Sequence, residues 1–249
     1  MYFNDIHIMI YLLFAILGGL IGQFVDYCNR CFLKEQKIFS KKSLSKYEKI
    51  VLPNYVLILI TAIGYVLLLY KFGIGNDLSQ NLDLLKYFIL LPMLECAFVV
   101  DFKEQIIPNR LNLLIFETGL VFVFLHGFTN INIALNMFLG MFVGAGIFAL
   151  ITLIGGLIAG REAMGMGDIK LMGALGLYFG FQNIIVISVM AFLIGAIVSI
   201  IYMIIKRKTA DTYIPFGPFI VISTIITIFV PFSVLFTILM EVFSLGLYN

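Results

Sequence analysis

Two aspartates stand out because each is set where a hydrophobic chain should avoid a charge. Asp168 lies in the stretch Arg161 to Gly180, R-E-A-M-G-M-G-D-I-K-L-M-G-A-L-G-L-Y-F-G, which is apolar almost throughout. An Asp at mid-membrane costs roughly 2.5–3.5 kcal/mol on insertion scales, so such a residue needs a reason. Gly165 and Gly167 precede it. Glycine frees the backbone to turn sharply and admits a second main chain at close range. Asp168 is then expected in the first turn of a helix, where the dipole favours negative charge. A second acid, Asp101, sits in V-V-D-F-K-E-Q-I-I-P-N at the end of another apolar run. Two carboxylates sharing a site hold one proton between them. The ionised member can draw a proton from water while the protonated member polarises a scissile carbonyl. That is peptide hydrolysis without an acyl-enzyme.

Competing chemistries are poorly stocked. His7 and His126 are both remote in sequence from either acid, and Cys96 has no visible base. There is no His-x-x-x-His and no carboxylate–His cluster, so no catalytic metal is expected. The three cysteines include one C-x-x-C, Cys28 and Cys31, with no second pair, and no structural zinc is expected. A lone aspartate at a helix end is ordinarily a cap or an interfacial charge, and Asp26 reads that way at the end of the first helix. Glu95 and Glu117 lie within apolar runs and must face the bundle interior or water. Glu95 precedes Asp101 by six positions; at roughly 100° per residue it points about 120° away, so it either pairs inside the bundle or meets a substrate. Lys170 falls on the far side of the Asp168 helix, as a headgroup or loop contact.

The elements that must position these acids follow from composition. The chain has 249 residues, 62% hydrophobic and 12% charged, and a mean hydropathy of +1.09. That composition is a polytopic membrane protein and excludes a soluble domain. The net charge of +2 is uninformative, and no nucleic-acid partner is expected. The first apolar run has no small-residue cleavage site and ends in a basic loop, so it reads as a retained helix rather than a signal peptide. Runs of about 20 apolar residues can span a bilayer. They predict helices near 6–27, 51–72, 84–101, 110–127, 132–160, 168–180, 182–205 and 215–245. The expected fold is therefore all-α, a polytopic membrane bundle of about eight helices forming one integral-membrane domain over 1–249. The sixth helix is short for a full span and reads as tilted or only partly inserted.

Lysine and arginine set the orientation. If the first helix enters from outside, every basic residue except Lys71 and Lys86 falls on the cytoplasmic side. That count uses no acids, yet it puts Asp101 and Asp168 on one face, so a dyad is geometrically allowed. Gly18 and Gly22, Gly140 and Gly144, Gly156 and Gly160, and Gly176 and Gly180 recur four apart, the spacing of close helix packing. Pro215 and Pro218 suit the first turn of the last helix or the loop before it, with Gly217 between them.

Three blocks in order now carry a resemblance: D-x-x-x-x-x-I-P-N from Asp101, G-M-G-D-I-K-L-M-G-A-L-G from Gly165, and I-P-F-G-P-F from Ile214. Together they resemble the type IV prepilin peptidases, of the G-x-G-D class of intramembrane aspartyl proteases, over most of the chain from about Gly18 to Phe219. The resemblance implies a catalytic pair Asp101 and Asp168, with Gly165, Gly167, Pro108, Pro215, Gly217 and Pro218 shaping the active site. It implies removal of short basic leaders from type IV prepilins and pseudopilins, in the bacterial cytoplasmic (inner) membrane and on its cytoplasmic side. The peptidase needs no cofactor, whereas many members also methylate the new N-terminus with S-adenosylmethionine.

Two departures fall in the region linked with methylation. The family's N-terminal G-S-F-L-N block is here Gly22-Gln23-Phe24-Val25-Asp26, and the basic loop at about 30–50 lacks the two cysteine pairs many members carry. The methyltransferase is therefore open while the peptidase expectation stands. Two other readings compete: a proton- or cation-coupled transporter using paired acids, and a catalytically silent component of a pilus or secretion machine. A transporter should place its acids near the midplane on interrupted helices with an inverted repeat. The sequence names neither the pilins cut nor the oligomeric state.

Overall fold

A computed structural model of the chain describes residues 2–3, 6–34, 54–160, 164–206 and 214–244. The basic cluster Lys37, Lys41, Lys42, Lys46 and Lys49, together with Arg161, Arg207 and Lys208, lies outside the described residues. The fold is all-α. Among the described residues there are eight helices: α1 Ile8–Leu33, α2 Tyr55–Phe72, α3 Leu78–Glu104, α4 Asn109–Thr129, α5 Ile131–Ala159, α6 Met166–Lys206, α7 Gly217–Phe229 and α8 Phe232–Phe243. A two-residue antiparallel pairing, β1 Tyr2–Phe3 with β2 Ile6–His7, precedes them. Five helices, α1, α2, α4, α5 and α6, are long and apolar enough to cross a membrane. The chain is a multi-pass membrane protein. It divides into two compact units, Met1–Leu111 and Asn112–Asn249.

In the first unit α1 lies on α2 along a glycine seam. A Cβ added at Gly18 would meet the Ala62 backbone at 2.7 Å, and one at Gly22 would meet the Ile58 backbone at 2.8 Å. Only glycine permits that approach. Thr61, fully buried on the same seam, reaches Glu95 of α3 with Oγ1 2.6 Å from Oε2. Glu95 thus pairs inside the bundle. The Tyr65 hydroxyl donates to the Phe88 carbonyl at 2.8 Å, and the Phe88 ring stacks on Phe14. Helix α1 runs one and a half turns past its expected end, so Asp26 lies within it and is not a cap. It is buried and accepts from Arg30 at 2.9 Å. Cys28, Cys31 and Cys96 are buried free thiols.

In the second unit α6 is not one rod. Gly180 has φ 74° and ψ 177°, and the helix breaks there. Added Cβ atoms at Gly140 and Gly144 would meet the carbonyls of Gly176 and Met172, both at 2.5 Å. The same two atoms would lie 2.6 Å from the Gly180 backbone and 2.9 Å from Ile184. Further along, Phe148 packs on Phe192. Partners in the first half of α6 therefore descend in number along α5 while those in the second half ascend. The two halves fold back on each other, both flanking α5. Asn136 on α5 caps the return, its Oδ1 accepting from the Phe181 amide at 3.1 Å. This agrees with the expected break near 181 and with a sixth segment too short to span alone. The pair Gly156 and Gly160 differs: Gly160 takes φ 66° to close α5, and nothing lies within 4 Å of an added Cβ. The expected single helix over 215–245 is two, because Val230 turns extended ahead of Pro231 and the proline has no amide to continue the ladder.

Candidate active site

Asp101 belongs to the last turn of α3 and is 4% exposed. The helix closes four residues later on Gln105, which adopts the left-handed region at φ 57° and returns its amide to the Asp101 carbonyl at 2.9 Å. The chain then passes Ile106–Pro108, and the half-buried Pro108 opens α4 by accepting from the Leu111 amide at 3.0 Å. The Asp101 backbone is thus held by the closing turn of its own helix.

Asp168 is held differently. It lies in the first turn of α6, as expected, and is 5% exposed. Its amide donates to the Gly165 carbonyl at 3.1 Å, the bond that starts the helix. Gly167 is already helical, so of the two glycines only Gly165 belongs to the approach. The carbonyl of Gly167 accepts from Asn112 Nδ2 of α4 at 2.9 Å. Higher up, Gly119 of α4 lets Leu177 and Tyr178 close in, its added Cβ falling 2.9 Å from Leu177 Cβ. Helices α4 and the first half of α6 therefore run side by side in the same direction. Sequence reasoning overlooked Asn112, since one amide in an apolar run has no spacing signature.

The Pro215 to Pro218 block opens α7: Pro215 is half-buried ahead of it, Gly217 and Pro218 are buried in its first turn. Phe216, not singled out in the sequence, anchors the block against Phe192 at 5.0 Å and Phe148 at 5.9 Å. Met172 lies level with Gly144, and Asp168 is one turn earlier. The α5 register thus puts the starts of α6 and α7 at the same end of α5. Glu117 is exposed on α4, and Lys170 is exposed on the face of α6 away from Asp168. No cluster of three potential metal ligands occurs among the described residues.

Residues 88–200, which hold both aspartates, match the type IV leader peptidase family. Proteins named prepilin leader peptidase/N-methyltransferase match as well. The one from Legionella pneumophila is 30% identical, over 66% of this chain and 55% of its own length. Those from Escherichia coli K12 and Aeromonas hydrophila are 31% and 27% identical, over 52% and 62% of this chain and 56% and 52% of theirs. The chain spans about half the length of the curated relatives it matches. No solved structure matches it. The transporter expectation gains no support from these relatives.

Proposed function

We propose, from the match of residues 88–200 to the type IV leader peptidase family, that this chain is a membrane aspartyl endopeptidase that removes the short basic leader of type IV prepilins and pseudopilins. Asp101 and Asp168 form the dyad that activates water. The observation that carries the reading is the burial of both acids at helix ends inside the matched region. An acid kept from solvent in an apolar bundle is costly, and both of these lie at helix ends beside the family-like motifs. Gly165, Gly167, Pro108, Pro215, Gly217 and Pro218 shape the approach of the substrate. The lysine and arginine asymmetry supports a site on the cytoplasmic side of a bacterial inner membrane, where the scissile bond of a leader-bearing helix lies just outside the hydrocarbon.

The relatives' names add an N-methyltransferase, for which S-adenosylmethionine would be the donor. Such a ligand joins a sulfonium and a carboxylate to a nucleoside and needs converging polar groups. The groove between α4 and α5, about 370 Å³, is lined by apolar residues such as Phe124, Phe128, Ile131 and Phe138. Near the altered N-terminal block, Asn29 is buried with neither amide atom partnered among the described residues. One orphaned amide does not make that site. Neither feature by itself supplies the converging polar groups that such a ligand needs, and no step is routed through it.

The deciding experiment incubates the purified protein in detergent with a prepilin bearing a glycine-ended leader and reads the product masses. One cut after the leader glycine is expected; an intact prepilin would contradict the reading. A further methyl increment that depends on S-adenosylmethionine would restore the second activity.

A further inference from the structure

The peptide bond joining Gly167 to Asp168 is gripped at both ends. Its N–H donates to the Gly165 carbonyl at 3.1 Å, within the local turn. Its C=O accepts from Asn112 Nδ2 at 2.9 Å, from a different helix fifty-five positions away in sequence. A peptide plane held at both polar groups, leading into a helix that sets the φ of Asp168, fixes the direction of the Asp168 Cα–Cβ bond. Asn112 is 3% exposed, and its other amide atom, Oδ1, is buried without a hydrogen-bond partner among the described residues. A half-satisfied buried amide is a net cost to folding, and an apolar residue of the same shape would serve packing better. The residue therefore contributes something other than stability.

We propose that Asn112 is a positioning residue for Asp168, setting the direction of its carboxylate through the Gly167 carbonyl. The inference rests on the peptidase reading, in which Asp168 is a member of the dyad. Asn112 touches neither the substrate nor the reacting atoms; it acts by aiming the acid. Misplacing a reacting group by an ångström can lower a rate by about a hundredfold, and the loss falls on the chemical step. An interaction that serves orientation alone leaves ground-state binding nearly unchanged, so the effect belongs in kcat and not in KM.

The test compares the full-length wild type with Asn112→Leu, Asn112→Asp, Thr118→Val and Asp168→Asn on a leader-bearing prepilin. Asn112→Leu removes the grip while keeping the branching at Cγ; kcat should fall about 10- to 100-fold, with KM within about twofold of wild type. Asn112→Asp keeps the shape but has no hydrogen to donate when ionised. Its carboxylic acid form regains a donor, so its activity relative to wild type should recover as pH falls. Thr118→Val breaks the α4–α6 contact to the Tyr178 hydroxyl one and a half turns away and should keep wild-type kcat. Wild-type kcat in Asn112→Leu, or equal losses in Asn112→Leu and Thr118→Val, would overturn the inference. Should Asn112→Leu not fold, an Asn112→Asp profile parallel to wild type overturns it instead. The two readings separate cleanly. If Asp168→Asn cleaves normally, the peptidase reading and this inference fall together. If it is silent while Asn112→Leu is fully active, only the positioning role is lost.

Discussion

Asp101 and Asp168 are the same residue, equally buried, yet the chain secures them by opposite means. Asp101 ends a helix, and its backbone is held locally by the amide of Gln105 returning to its own carbonyl. Asp168 begins a helix and is fixed at a distance, by α4 holding the peptide in front of it. The helix dipole favours an anion at the second position and disfavours one at the first. In the proposed dyad, such different settings suit the two acids to unlike roles. The contrast also says where each is vulnerable: Asp101 to changes in its own last turn, Asp168 to changes on a neighbouring helix.

The largest effect should erase the contrast. Asp101→Asn and Asp168→Asn each remove a proton carrier while keeping size and most hydrogen bonding, and each should lower cleavage by about a thousandfold or more. Asp26→Asn, Glu117→Gln and Lys170→Gln, at positions outside the proposed dyad, should retain at least partial activity under matched expression. Near-normal cleavage by Asp101→Asn would reduce its burial to a packing accident. The Asn112 variants come next and probe the distant anchor alone.

Smaller effects separate stability from catalysis. Gly176→Ala would drive a Cβ into the Gly140 backbone, which cannot yield. It should destabilise the protein by about 1–3 kcal/mol in detergent denaturation, the usual cost of overpacking. Gly146→Ala on the same α5 has nothing within 4 Å of the new atom. It should stabilise by about 0.5–1 kcal/mol from helix propensity. A reversed order for this pair would contradict the fold-back of α6 around α5. The smallest change tests the local anchor: Gln105→Gly relieves a left-handed residue worth roughly 1 kcal/mol and should raise the melting temperature slightly without altering cleavage.

Much of this was legible in the sequence, for a definite reason. Helices read well because the hydrocarbon core imposes long apolar runs, and the first turn of α6 read well because two glycines lead into an acid there. Hydrophobicity marks the portion in lipid, not the helix. The first turns of α3, polar and capped by Asp77, were therefore missed, as was the last stretch of α1 from Cys28 to Leu33, which carries Arg30. Pro231 splits the last helix inside an unbroken apolar run, where composition carries no warning. The break at Gly180 was expected, but the fold-back depends on α5 offering Gly140, Gly144 and Asn136 to both halves, a tertiary fact. Asn112 and Asn136 were invisible for the same reason: a single amide in an apolar helix declares itself only once its partner is known.

The central claim is that the two aspartates work as one unit. Single-turnover cleavage of a leader-bearing prepilin by Asp101→Asn, Asp168→Asn and the double variant, at matched folding, tests it most directly. Groups that share one chemical step are strongly non-additive, so the double variant should be hardly slower than either single one. Losses that multiply would show two independent residues and contradict the dyad.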